Sequence, residues 1–188
     1  MSPPPSALHL HAATRALSQG GVIACPTEAV WGLSCDPENE DAVMRLLALK
    51  SRPVEKGLIL VAADEKQLEP LLRELPQQQR QTLSASWPGP STWLLPHRGS
   101  VPRWVHGSHD TVAVRVSSHP CVSALCAAWG GPLVSTSANP AGALPAKELY
   151  QVRRYFGATL DYILPGRVGN ARRPTGIRDL FSGQIIRD

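Results

Sequence analysis

Short apolar runs alternate with helically spaced segments along nearly the whole chain, and this alternation limits the fold more than any other feature. Residues 22–25 (VIAC), 57–61 (GLILV), 91–95 (STWLL), 111–116 (TVAVRV) and 132–135 read as strands bounded by Gly or Pro. Ser6 is placed to cap a helix that runs to about Gln19 and stops at Gly20-Gly21. Residues 40–50 carry Val43, Leu46, Leu47 and Leu49 at helical spacing, and Pro53 forces an end near Lys50. Asp64 caps a further helix, 119–129 is helical up to Gly130-Gly131, and 146–156 forms another helix. Short strands near Tyr162 and Ile185 finish the pattern. Interleaving of this kind predicts one layered α/β domain. The strands at 91–95 and 111–116 have no helix between them, which makes the sheet mixed rather than purely parallel. No internal repeat or long linker divides the chain, so 7–188 reads as one domain behind a disordered lead at 1–6.

A chain of 188 residues buries enough surface to hold a core without disulfide or metal staples. Apolar residues are 43% and charged residues 18% of the whole, which excludes an intrinsically disordered chain. Cys25, Cys35, Cys121 and Cys126 form no C-x-x-C pair and sit in apolar stretches, as buried thiols of a reducing compartment do. His9, His11, His106 and His109 lack companion ligands at metal-site spacing, so no metal held by protein side chains is expected. No signal sequence opens the chain, and nowhere do about 18 apolar residues run together. The expectation is a cytoplasmic protein that does not span a membrane.

The net charge is +4, and arginine is dense after position 150: Arg153, Arg154, Arg167, Arg172, Arg173, Arg178 and Arg187. Such a field suits an anionic partner, either a phosphorylated substrate or nucleic acid, and equally an ordinary basic surface. Lys50-Ser-Arg52-Pro53 either aims two cations at one anion or gives a helix a favourable basic end. Ser135, Ser137 and Asn139 share one face if the strand before them persists, beyond a strand end where α/β sheets bind ligands. They serve equally as turn formers with Pro140 and Gly142. Thr111, Ala113 and Arg115 lie opposite Val112, Val114 and Val116, on a face that is a cleft floor or plain surface. Thr27 and Glu28 follow a buried strand; Thr27 bonds a ligand or caps the turn, and Glu28 partners a metal or ammonium group or caps it, capping being the commoner role for both. Thr175, Arg178 and Arg187 add late hydroxyl and guanidinium groups. Walker A, G-x-G-x-x-G, G-x-S-x-G and zinc-protease motifs are all missing. Cations, hydroxyls and an amide without a nucleophile–base pair suit charge stabilisation of a phosphate-centred reaction.

Taken in order, PTEAVWGL from Pro26, KSRP from Lys50, AVRV from Ala113, STSAN from Ser135 and PTGIRD from Pro174 closely resemble the YrdC/TsaC type of threonylcarbamoyl-AMP synthase. The likeness runs from about Ala7 to Arg187. It implies a YrdC/RibB-like domain, formally α+β, with a twisted, mixed, largely antiparallel sheet flanked by helices. It implies formation of threonylcarbamoyl-AMP and pyrophosphate from L-threonine, bicarbonate and ATP, with Mg²⁺ on the ATP. Lys50, Arg52, Thr111, Ser137, Asn139 and Arg187 would then hold ATP, with Lys50 and Arg52 catalytic. Arg115 would pair with the threonine carboxylate, and Thr27, Ser135 and Thr175 would complete that pocket. The implied partners are tRNA threonylcarbamoyl-transfer proteins of the TsaD, TsaB and TsaE type, which modify tRNA beside the anticodon. Contact with tRNA through a basic face and a monomeric state are also expected. Longer relatives carry threonine where this chain has Ala29 and histidine where it has Val61. Two other readings share these residues: a non-catalytic RNA-binding protein, and a carbamoyl-adenylate former of the hydrogenase-maturation kind.

Overall fold

A single mixed sheet of nine strands organises the computed structural model, which describes residues 3–171, 173 and 175–187. Met1, Ser2, Arg172, Pro174 and Asp188 lie outside the described residues. In chain order the elements are α1 (Ala7–Ser18), β1 (Ile23–Pro26), β2 (Trp31–Ser34), α2 (Glu40–Lys50), β3 (Ile59–Ala62), α3 (Glu69–Leu72), α4 (Gln77–Ser86) and β4 (Ser91–Pro96). There follow α5 (Arg103–His106), β5 (Thr111–Val116), α6 (Pro120–Trp129), β6 (Leu133–Ser137), α7 (Leu149–Phe156), β7 (Tyr162–Ile163), β8 (Gly176–Asp179) and β9 (Ile185–Arg187). The sheet order is β7-β1-β2-β6-β3-β5-β4-β8-β9. The β1/β7, β3/β5 and β4/β8 pairs are parallel. The β1/β2, β2/β6, β3/β6, β4/β5 and β8/β9 pairs are antiparallel. The mixed, largely antiparallel sheet is therefore the one expected.

Strand alternation divides the core between the two faces of the sheet. Val22 and Ala24 of the first strand region, Leu60 and Ala62 of β3, Val112, Val114 and Val116 of β5, and Val134 of β6 join one cluster. Helices α2, α4, α5 and α7 bring Leu46, Leu83, Val105 and Val152 onto it. The alternate residues Ile23, Cys25, Val61 and Leu133 face Ala13 and Leu17 of α1 and Val122 and Leu125 of α6. These two helices cover only part of the second face. The four cysteines are buried and unpaired, and burial pushes the Cys25 thiol up to about 12, so it packs as a neutral group.

Local chemistry accounts for the helix ends. Ser6 accepts from the His9 amide, Asn39 from Ala42 at 2.9 Å, and Asp64 from Gln67 at 3.1 Å. Ser51 turns left-handed at φ 50°, and Gly130 does the same at φ 88°. The structure adds α4, α5, β8 and β2, which the sequence reading does not name, and shortens one helix. β2 was not expected, because Gly32 interrupts its apolar pattern; a Cβ there would stand 3.1 Å from the Thr27 methyl carbon, so glycine permits the close approach. The helix expected from Ala146 begins at Leu149, because Ala146 is tied to the sheet through Ala146 N–H to Ala138 O and Trp31 N–H to Ala146 O. Among the described residues no helix is long and apolar enough to cross a membrane.

Lys50 joins α2 to the end of β6. Its side chain is buried, and Nζ donates to the carbonyls of Ser137 and, at 2.7 Å, Asn139. The Ala141 amide returns a bond to the Lys50 carbonyl. Burial first, and then the Arg52 guanidinium, lower the Lys50 pKa from 10.5 to about 8.

Two stability measurements follow from this packing. Leu46→Ala removes a fully buried side chain and should lower the unfolding free energy in urea by roughly 2–5 kcal/mol, whereas Met44→Ala on the exposed side should change it by about 0.5 kcal/mol or less. Between about pH 8 and 10.5 the unfolded chain holds the Lys50 proton more tightly than the folded chain, so stability at this position rises with pH across that window. Lys50→Met should remove that rise in unfolding titrations and, by orphaning two carbonyls, cost roughly 1–3 kcal/mol; an unchanged slope would assign the proton to another group.

Candidate active site

The part of the second sheet face that α1 and α6 leave open forms a cavity of about 500 Å³, a size suited to small-molecule ligands. Its floor comes from alternate strand positions: Gly32 of β2, Ile59 of β3, Thr111, Ala113 and Arg115 of β5, and Ser135 and Ser137 of β6. Thr27 enters from the turn between β1 and β2, and Arg52 from the segment after α2. Thr175 precedes β8, and Arg187 lies on β9. Separate stretches of sequence thus meet in one hollow. Ala29 also lines it, while Val61 packs with the α1–α6 cluster.

Arg115 is the one buried cation among the described lining residues. It is 6% exposed, and Nη1 donates to Thr175 Oγ1 at 2.9 Å. That hydroxyl also bonds Thr92 Oγ1 at 2.9 Å. Arg115 Nη2 stands 3.4 Å from Glu28 Oε2, and Glu28 Oε1 accepts from Ser117 Oγ at 2.6 Å. Arg187 Nη2 donates to the Thr175 carbonyl at 3.2 Å. Arg52 is held by Gly57 O at 2.8 Å and Lys56 O at 3.3 Å. Burial and then Arg187 lower the pKa of Arg52, and burial and then Arg115 lower that of Arg187. Each guanidinium is destabilised by the next. Cations gathered around an open cavity in this way are complementary to an anion that offsets their mutual repulsion.

Thr27 lines the cavity while its hydroxyl donates to Val30 O at 2.7 Å, so it closes its own turn. Lys50 and Asn139 are not among the lining residues. The expectation that Ser135, Ser137 and Asn139 share a face holds for the two serines only. β6 ends at Ser137, the Asn139 amide turns back to Ser137 O, and Asn139 Nδ2 donates to Ala143 O at 2.8 Å. Lys50 grips the carbonyls of that same turn.

Sequence reasoning passed over several site residues. Glu28 is not one of them: read as a cap or as a metal or ammonium partner, it proves a buried partner of the Arg115 guanidinium. Ser117 and Thr92 gave no signal of their own. Lys56, His106 and His109 also line the cavity, and His106 stacks on His97 with centroids 3.9 Å apart. Burial and then His97 lower the His106 pKa. Among the described residues no group of three or more His, Cys, Asp or Glu is arranged to hold a metal ion.

The family model Sua5/YciO/YrdC, described as "Telomere recombination", matches residues 15–188. The threonylcarbamoyl-AMP synthase of Halorhodospira halophila is 58% identical over 177 residues, which are 94% of this chain and 92% of that protein. Among solved structures, P. abyssi Sua5 complexed with L-threonine superposes with a TM-score of 0.84 at 32% identity, over 90% of this chain and 50% of that longer one. YciO of E. coli superposes with a TM-score of 0.87 at 25% identity, over 99% of this chain and 91% of its own. The model match over most of the chain and the near-complete alignment to a relative of similar length leave one conclusion: this chain belongs to the Sua5/YciO/YrdC family.

Proposed function

We propose that the cavity joins L-threonine, bicarbonate and ATP into threonylcarbamoyl-AMP and pyrophosphate, with the triphosphate beside Arg52 and Arg187 and the amino acid at the Arg115 end. The activity is that of a threonylcarbamoyl-AMP synthase, as in the relatives that align along nearly all of their length. A non-catalytic RNA-binding role is set aside on the same ground. The observation that carries the placement of substrates is the chain of like charges from Arg52 through Arg187 to Arg115 around one hollow.

The chemistry fits these groups. A carbamate oxygen attacks the α-phosphorus and pyrophosphate leaves, so two anions must be brought together. Guanidinium groups fixed in advance offset that repulsion and the charge that develops on the departing oxygens. Thr111 and Ser137 supply hydroxyl donors toward the phosphates. Lys50 and Asn139 act on the phosphates through the turn they hold together, which sets the position of Ser137. Arg115 receives the threonine carboxylate, and Thr27, Ser135 and Thr175 complete the pocket around the amino acid and its carbamate. ATP is taken as its Mg²⁺ complex; the one carboxylate among the described lining residues faces Arg115 and Ser117, which suits an ion held by phosphate oxygens. The product passes to tRNA threonylcarbamoyl-transfer proteins of the TsaD, TsaB and TsaE type in the cytoplasm. The exposed Arg153, Arg154, Arg167, Arg173 and Arg178 are the groups through which a monomeric chain would meet tRNA.

Pyrophosphate release from ATP should require threonine and bicarbonate together, as read by nucleotide chromatography; release that ignores the omission of threonine would overturn the assignment. Arg52→Ala should weaken ATP binding roughly tenfold to a hundredfold with the fold intact, while Arg115→Ala should raise the threonine KM by a similar factor and the ATP KM far less. The reverse pattern would exchange the two roles.

A further inference from the structure

The cavity has a single acidic group among its described lining residues, Glu28, against Arg52, Lys56, Arg115 and Arg187. We propose that Glu28 is a catalytic residue: its Oε2 receives the α-ammonium of the amino acid and takes the proton that must leave before the carbamate can form. This rests on the reading above that an α-amino acid is carboxylated in this cavity.

The geometry asks for such a ligand. Glu28 is 8% exposed, and Oε2 is buried without a hydrogen-bond donor, at 3.4 Å from Arg115 Nη2. Arg115 Nε is likewise buried without an acceptor. A missing donor and a missing acceptor therefore stand side by side, and buried polar groups left in that state call for a partner. A zwitterion satisfies both at once, with its carboxylate on Arg115 and its ammonium on Glu28. Among the described lining residues, the charges other than Glu28 that the ammonium would meet are all positive. The carboxylate is also firmly held. The turn that carries it is closed by Thr27 N–H to Val30 O, and Gly169 N–H and Ala171 N–H donate to the carbonyls of Thr27 and Glu28. A Cβ on Gly169 would stand 2.7 Å from Glu28 O, so the covering strand of chain lies flush against the turn.

The step balances. One N–H proton of the ammonium passes to Glu28 Oε2, freeing the nitrogen lone pair to form the N–C bond with the bicarbonate carbon. The C–OH bond of bicarbonate breaks, and the leaving hydroxide takes a second N–H proton and departs as water. The carbamate carries one negative charge, its nitrogen keeps one hydrogen, and the net proton rests on Glu28. Glu28 also borders a second cavity, beside Ser118, His119 and Arg167, through which that proton can reach solvent without crossing the phosphates. The groups facing Glu28 are Arg115 of β5, Ser117 beyond it, His119 at the start of α6 and Cys25 of β1. Burial lowers the His119 pKa and raises that of Cys25 to about 12, so both stay neutral near pH 8.

Glu28→Gln tests the proposal in two directions of the same reaction. Formation of threonylcarbamoyl-AMP near pH 7.5 should fall roughly 100-fold. Its rate should then rise about tenfold per pH unit as solution supplies the free amine, while the wild-type rate stays nearly flat between about pH 7 and 9. Pyrophosphorolysis of threonylcarbamoyl-AMP to ATP makes and breaks only P–O bonds, so the variant should keep at least about a third of the wild-type rate. A wild-type pH profile and threonine KM in the variant would overturn the proposal. Parallel loss of both directions would overturn it too, since Glu28 would then only hold Arg115. A wild-type chain that forms no threonylcarbamoyl-AMP would overturn the functional reading itself, and this inference with it.

Discussion

A guanidinium buried on a central strand is the constraint from which the site follows. Removing the Arg115 charge from water costs several kcal/mol unless nearby groups compensate for it. The compensation comes from Glu28 on the first turn, Ser117 behind it, and Thr175 with Thr92 on the far side. These residues are scattered from position 28 to position 175, so the pairing of β4 with β5 and β8 must be complete before the charge is satisfied. The same pairing brings Arg187 on β9 to the rim. Fold and site are consequently one requirement.

Satisfaction of Arg115 is partial, and the remaining deficit is what makes the cavity a binding site. Arg52 and Arg187 line the same cavity, with their pKa values lowered first by burial and then by a neighbouring guanidinium. A ligand that carries several negative charges relieves that repulsion and stabilises the fold by mass action. The core on the opposite sheet face supplies the rigidity to hold like charges together. Lys50 contributes from behind, tying the end of α2 to the turn after β6 and so setting where Ser137 stands.

Much of this was legible in the sequence where one local force dominates. The extent of α2 follows from Val43, Leu46, Leu47 and Leu49 at helical spacing and from Pro53 beyond its end, and the structure places its bounds at Glu40 and Lys50. The alternation in TVAVRV put Arg115 opposite three valines, and the structure sends those valines to the core and Arg115 to the cavity. What escaped depends on contacts remote in sequence. β2 is stabilised by pairing with β1 and β6, although Gly32 weakens its pattern. The helix beginning at Leu149 is delayed because Ala146 is engaged by Trp31 and Ala138. Asn139 leaves the strand face because its own amide and side chain close a turn. The sequence leaves Glu28 between a cap and a partner for a cation, because its role depends on Arg115, 87 positions further on.

A crystal structure of the chain with L-threonine and a non-hydrolysable ATP analogue bound together addresses the central claim most directly. Both ligands should occupy the one cavity, with the triphosphate in hydrogen-bond reach of Arg52 and Arg187 and the threonine carboxylate on Arg115. A triphosphate bound on another face, or a threonine carboxylate held away from Arg115, would contradict the convergence of these cations on a single pair of substrates.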